Sequence, residues 1–213
     1  MPTADAVQHP IFARVYGRLS RAGEDRGAAD HRRRMLEGAT GTVVEVGAGN
    51  GLNFAHYPPT VVSVIAVEPE PHLRGLAHAT AREAQVPVEV QAGTAERLPL
   101  GDASCDVAVA SLVLCSVSDQ AEALAEMRRV LRPGGELRFY EHVLSTEPWL
   151  ARVQRIAQRT FWPILCGGCH PARDTGAAIA QAGFVIERHE RFPFSMSPLQ
   201  PAVPFIVGIA RRT

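Results

Sequence analysis

The stretch Thr42-Val43-Val44-Glu45-Val46-Gly47-Ala48-Gly49-Asn50-Gly51 decides the fold. Thr42 to Val46 is a short β-branched run and predicts a strand. Three glycines spaced two apart follow at once and predict a tight turn, with a helix starting directly after it. The alternation repeats downstream. Strands are expected over 61–67, 86–91, 105–112 and 136–141, with a helix over 70–84. Asp119 with Glu122 three residues on is a capping pattern for a helix over 119–131, where Leu124, Met127 and Leu131 share one face. Pro133-Gly134-Gly135 stops that helix. Strands alternating with helices predict right-handed crossovers and a mostly parallel sheet, and unbroken apolar runs predict helices on both of its faces.

The flanks differ. Residues 8–38 read as helical, with Ile11, Phe12, Val15, Leu19, Met35 and Leu36 on the apolar side. Residues 149–165 read as one amphipathic helix, 166–174 as a glycine-containing loop and 175–182 as a short helix. Strands over 184–190 and 203–210 have no helix between them, which predicts an antiparallel strand at the C-terminus. The expected fold is a doubly wound, Rossmann-like α/β domain with a seven-stranded, mostly parallel sheet. One domain of 1–213 is expected, divided into an N-terminal helical lid (1–40), a cofactor-binding core (41–145), an acceptor-side lid (146–183) and terminal strands (184–213).

Composition narrows the class. The 213 residues suit one packed core, and 46% hydrophobic content excludes a disordered chain. Lys plus Arg equals Asp plus Glu at 22 each, so net charge points to neither nucleic acid nor an anionic membrane as the main partner. No apolar run is long enough to span a bilayer, and the first residues lack the apolar centre of a signal peptide. A cytoplasmic location is expected, with Cys105, Cys115, Cys166 and Cys169 as thiols.

The glycine turn lies at the carboxyl edge of the sheet, where open α/β sheets bind ligands. Its G-x-G-x-G spacing differs from the G-x-G-x-x-G that holds a pyrophosphate. Glu45 would repel a pyrophosphate but suits a ligand carrying an ammonium group. Glu68, after the second strand, suits a ribose diol. An adenosine bearing an amino acid and no phosphate fits both carboxylates. S-adenosylmethionine is that molecule, and its sulfonium also favours an acidic site. Glycine spacing and Glu45 argue against the rival reading, a nicotinamide-dependent oxidoreductase.

These residues resemble the class I S-adenosylmethionine-dependent methyltransferases across residues 40–145. Val44 to Gly51 matches the family's first motif, and Val67-Glu68-Pro69 the acidic end of the second strand. Gly93 to Leu100 resembles the adenine loop, Asp106 to Ser111 the fourth strand, and Arg129 to Gly135 the segment before the fifth. The resemblance implies cofactor contacts from Glu45, Gly47, Ala48, Gly49, Gly51, Asn53, Glu68, Pro69, Thr94, Ala95, Glu96, Ser111 and Leu112, with S-adenosylhomocysteine as product. Many relatives carry Asp where Thr94 stands, so the adenine contact falls to the Thr94 hydroxyl, to Glu96 or to backbone.

A narrower resemblance rests on Gly51 to Phe54, Tyr57-Pro58, Leu112 to Val117, Glu141-His142-Val143, Gly168-Cys169 and Arg173. It points to the small alkyl-thiol methyltransferases and, less closely, to the phosphatidylethanolamine N-methyltransferases. It implies a small-molecule acceptor, with a thiol slightly ahead of N- or O-methylation of a lipid or metabolite. The membrane anchor of the first group is absent, so no stable membrane insertion is expected. A non-catalytic S-adenosylmethionine-binding module is the alternative from another class.

His142 follows the fifth strand and is the catalytic candidate, orienting or deprotonating the acceptor. Cys115, Trp162, Cys169 and Arg173 are the further acceptor contacts, with Arg173 pairing to a carboxylate or to backbone. Cys166 to His170 spells C-x-x-C-H, but haem attachment requires export and zinc requires four ligands, so no metal is expected. The apolar face of 149–165 is expected to line the acceptor pocket, with Phe161, Trp162, Phe194 and Met196 as lining or core. Arg152, Arg155 and Arg159 read as a solvated face, with contact to lipid phosphate as the alternative.

Overall fold

The structure is a computed structural model that describes residues 20, 23–160, 162–165, 167–195 and 201–213. Its strands are β1 (Gly41–Val46), β2 (Val61–Val67), β3 (Val88–Gln91), β4 (Cys105–Ser111), β5 (Leu131–His142), β6 (Phe184–Phe194) and β7 (Val203–Arg212). They form one sheet in the order β3-β2-β1-β4-β5-β7-β6. All pairings from β3 through β5 are parallel, and β7 runs antiparallel to both β5 and β6. The expected doubly wound sheet with its antiparallel C-terminal strand is what forms. Strand order reverses between β1 and β4, which puts the topological switch point at Val46 and Ser111.

Strand periodicity explains the two covered faces. Val44, Val46, Ala108 and Ala110 point into one core with Leu124, Met127 and Leu137. Val43, Val107 and Val109 point into the other with Met35, Leu36, Phe54 and Tyr57. Helices α1 (Ala29–Leu36), α2 (Pro71–Ala81) and α3 (Gln120–Val130) cover these faces, and Ile179 of a later helix joins the first core. The remainder are α4 (Pro148–Gln158), α5 (Trp162–Leu165) and α6 (Thr175–Gln181). Three caps are legible in the sequence chemistry. Glu70 accepts from the Leu73 amide, Asp119 from Ala121 and Glu122, and Asp174 from Ala177.

The departures have local causes. No full helix follows the glycine turn. A single 3-10 turn, Phe54–His56, leads into Tyr57-Pro58-Pro59, where two prolines remove the donors that a helix would need. The expected 149–165 helix is two helices. Thr160 bonds back to the Ile156 and Ala157 carbonyls, and Pro163 cannot donate across the break. Of the 8–38 helix, residues 8–19, 21 and 22 lie outside the described residues. The remainder is helical from a widened turn at Glu24–Ala28, bent where Gly27 takes φ +111°. Phe161, Cys166 and Met196 also lie outside the described residues.

Arg138 fixes α1 to the sheet. It is 3% exposed, donates to the Met35 and Glu37 carbonyls and pairs with Glu136. Those carbonyls are orphans of the helix end, so one guanidinium satisfies both. Asp119→Ala should lower unfolding free energy by about 1 kcal/mol in urea titration through loss of the α3 cap.

Candidate functional site

The turn after β1 needs glycine for two reasons. Gly47, Gly49 and Gly51 take φ of +64°, +59° and +80°. A Cβ at Gly47 would fall 2.5 Å from a methyl of Val113, and one at Gly51 2.6 Å from the Phe54 ring. The turn is joined to the end of β2. The Gly49 amide donates to Glu68 Oε2 at 2.7 Å, and the Glu70 amide to Oε1 at 2.9 Å. Burial pushes the Glu68 carboxyl up, against the pull of those two amides. The glycine turn and the carboxylates of Glu45 and Glu68 therefore lie together at the carboxyl edge of the sheet, beside the switch point. Pro69 is tied in through its carbonyl, which accepts from Arg74.

Glu45 is 1% exposed and accepts from Asn53 Nδ2 at 2.9 Å and from the Tyr57 hydroxyl at 2.6 Å. Burial raises its pKa to about 7, opposed by those two donors and by Arg32. Arg32 on α1 donates to Asn53 Oδ1 at 2.8 Å and to Ser111 Oγ at 2.9 Å, and pairs with Glu24 at 2.9 Å. One guanidinium thus links the ends of β1 and β4. Leu112, next in the chain, is held at φ +60°, a strained position for a branched residue, with its amide donating to the Tyr140 carbonyl. Among the adenine-loop residues, Ala95 is buried, and Thr94 pairs with Arg97. Glu96 turns its carboxylate to Ser118 at the start of the α3 region, through bonds of 2.7 Å and 3.1 Å.

On the other side of the switch point, Glu141 is fully buried. It collects the Val113, Leu114 and Cys115 amides at 2.9 Å, 2.9 Å and 3.1 Å. His142, 5% exposed, sits between α4 and the 167–174 loop. Gln154 fixes its tautomer. Gln154 Oε1 accepts from the Ser145 amide, and its Nε2 donates to the Val143 carbonyl, so the amide cannot be flipped. That same Nε2 faces His142 Nε2 at 3.4 Å, which must then be the acceptor. The proton sits on Nδ1, which faces Cys169 Sγ at 3.8 Å. Burial lowers the His142 pKa to about 4, so the imidazole is neutral at pH 7.

The loop is strapped down by backbone. The His170 amide donates to the Cys115 carbonyl at 2.7 Å, and Arg173 to the Leu114 carbonyl at 2.7 Å. Cys115 is buried and shares a hydrogen bond with Cys169, which together with burial pushes its thiol well up. Trp162 is half-buried on α5, and its Nε1 has no hydrogen-bond partner among the described residues.

Comparison with known proteins agrees with this geometry. A family model described as a methyltransferase domain matches residues 44–139. Thiol S-methyltransferase TMT1B of Homo sapiens is 39% identical over 82% of this chain and 73% of its own length. Thiol S-methyltransferase TMT1A of Homo sapiens is 34% identical over 76% and 68%. The chain belongs to the class I S-adenosylmethionine-dependent methyltransferases. The fold is shared with an S-adenosylmethionine-dependent methyltransferase of Thermotoga maritima, described as a possible histamine N-methyltransferase. That structure matches at TM-score 0.67 and 25% identity, over 95% of this chain and 98% of that one.

For a methyltransferase, three features of this pocket were not singled out as site residues from sequence. Arg32 stands in an Arg32-Arg33-Arg34 cluster, and only its phase with Met35 and Leu36 on the inner face of α1 marks it. Gln154 looks like a surface residue of an amphipathic helix. Glu141 stands beside His142 in the sequence, and nothing local marks its part in holding the 113–115 turn. The cofactor cradle fits its group: acidic carboxylates, left-handed glycines and, among the described residues, one guanidinium, Arg32, already held by Glu24, Asn53 and Ser111.

Neutral, buried His142 has a thermodynamic signature. Its folded pKa lies below the 6.5 of an unfolded chain, so protonation favours unfolding as pH falls from about 6.5 to 4. Between pH 7 and pH 4 the native protein should lose about 3 kcal/mol more stability than His142→Gln, measured by urea unfolding at both values.

Proposed function

We propose that this methyltransferase methylates the sulfur of a small thiol, with His142 Nδ1–H orienting the acceptor sulfur. The observation carrying this is the fixed tautomer, an imidazole N–H aimed at the position where Cys169 Sγ now stands. The relatives named as thiol S-methyltransferases support the same acceptor. His142 is assigned orientation rather than proton abstraction. A base whose pKa is about 4 is poorly matched to a thiol ionising near 8.5. A thiol supplies its own thiolate, whereas an amine or hydroxyl acceptor would need a base, a role to which His142 is poorly matched.

S-adenosylmethionine supplies a methyl group already activated by sulfonium. The protein's work is alignment and exclusion of water. Glu68 accepts from the ribose diol, and Gly47, Ala48, Gly49 and Gly51 allow close approach of backbone. Arg32 and Asn53, oriented by Glu45, meet the amino-acid tail, and Ser111 and Leu112 close the switch point. Pro69, Thr94, Ala95 and Glu96 border the adenine side. Cys115, Trp162, Cys169 and Arg173 border the acceptor. The acceptor sulfur forms its bond to the methyl carbon as the sulfonium C–S bond breaks, giving a thioether and S-adenosylhomocysteine, with the thiol proton lost to solvent. We place the protein in the cytoplasm, in keeping with the Cys105 and Cys115 thiols.

A labelled-methyl assay against thiols, amines and phenols tests the acceptor, and labelling of amines alone would overturn the thiol reading. For a thiol, kcat/KM should rise with pH through the acceptor's own pKa, with no limb near 6.5 from His142. Glu68→Gln should weaken S-adenosylhomocysteine binding about ten-fold or more by calorimetry, and unchanged affinity would refute the ribose role. The buried Glu70 amide and the part-buried Gly49 amide make Glu68→Ala costly to fold as well. Its melting temperature should drop, not stay unchanged as binding through an exposed carboxylate would imply.

A further inference from the structure

Helix α4 (Pro148–Gln158) is packed inside out. Its buried residues are Ala151 and Gln154, and Gln158 accepts from the Ala172 amide at 3.0 Å. Trp149, Val153 and Ile156 are 67%, 52% and 57% exposed. Their i, i+4, i+7 spacing puts them on one outward stripe. The sequence pattern predicts the reverse, with these side chains lining the acceptor pocket. Gln154 prevents the helix from rolling over, because its amide is held by Ser145, Val143 and His142.

Beside the stripe stand Arg152, Arg155 and Arg159, exposed, and among the described residues none of the three is in an ion pair. No acidic residue lies within the helix. We propose that α4 is a reversible docking helix for an anionic phospholipid surface. Trp149, Val153 and Ile156 enter the boundary between headgroups and acyl chains, and the three arginines meet lipid phosphates.

The geometry of the stripe favours lipid over protein. A stripe three side chains long is too narrow for a stable protein interface, which needs about 800 Å² from each partner, whereas an interfacial helix needs only such a face. A second copy docked here would bring two arginine rows together. The balanced net charge of the chain does not oppose the proposal, because surface attraction acts within about 10 Å. Docking also has a consequence for the site. The inner face of the same helix touches His142 and Val143, so the acceptor side would lie next to the lipid.

The test is co-sedimentation of the full chain with phosphatidylcholine vesicles, with and without roughly one-third phosphatidylglycerol. Wild type should pellet with the anionic vesicles, lose binding as salt rises and ignore the neutral ones. The W149S/V153S/I156S variant should stay in the supernatant with its melting temperature kept, because these side chains are exposed. Each arginine changed to Gln should weaken binding about five-fold. In a Trp162→Phe background, Trp149 fluorescence should shift to the blue on adding anionic vesicles, a readout that needs no multiple variant. Absence of pelleting, equal pelleting by the serine variant, or equal binding to neutral vesicles overturns the proposal. So does a dimer in size-exclusion chromatography that the serine variant abolishes, since the occupant would then be a second copy. None of these readouts depends on which acceptor is methylated.

Discussion

A carboxylate buried at the end of the central strand governs this structure. Glu45 is buried on the face of β1 that carries Val43, beside Tyr57, where an unpaired charge would be intolerable. The chain answers with Asn53 and Tyr57 from the next connection and Arg32 from α1. That requirement shapes the backbone. The segment after the glycines must fold back within a dozen residues to present two polar side chains to Glu45, and one 3-10 turn followed by prolines does so where a helix would carry Tyr57 away. The placement of α1 follows from the same need, since Arg32 reaches the pocket only while Arg138 holds the helix end against β5. Stability and cofactor binding therefore share residues, and substitutions here should rarely separate the two.

Much of this was legible in the sequence because its signals are local. Strand β2 is found at its expected bounds, and β1, β4 and α3 start or stop within a residue or so of theirs. Buried β-branched runs, glycines at fixed spacing and an Asp cap each carry their meaning within a few residues. The convergence of residues 45–51 with Glu68 was likewise inferable, since both lie at carboxyl ends of neighbouring parallel strands. What was not legible is partnership across distance. Nothing within the Arg32-Arg33-Arg34 cluster says that the first arginine is buried 79 residues away from the Ser111 it contacts. Glu96 makes the same point. Its place in the adenine loop does not announce its partner, the Ser118 hydroxyl and amide at the start of the α3 region.

The acceptor side is electrostatically quiet by construction. Glu141 spends its oxygens on three amides of the turn that follows β4, and burial removes the charge from His142 at neutral pH. Such surroundings offer little help in removing a proton. They offer a fixed donor and a dry wall, which suit an acceptor that ionises readily in water and needs only direction. The two carboxylates sit instead on the cofactor side, where a sulfonium and an ammonium would meet them. The sheet thus separates the two tasks, with Glu45 and Glu68 on the β1–β2 side and a neutral His142 beyond β4.

Helix α4 shows where amphipathic pattern loses its authority. The pattern states that a helix has two faces. It is silent on which face has the better partner. Here the better partner is a strand end whose Ser145 amide and Val143 carbonyl need satisfying, and a glutamine satisfies both while three apolar side chains cannot. Leaving two buried backbone groups unpaired costs about 1–3 kcal/mol each, comparable to the gain from burying Trp149, Val153 and Ile156. The hydrogen-bonded face wins because its partners are fixed by the sheet and have no other recourse, whereas the apolar stripe can still find cover outside the chain.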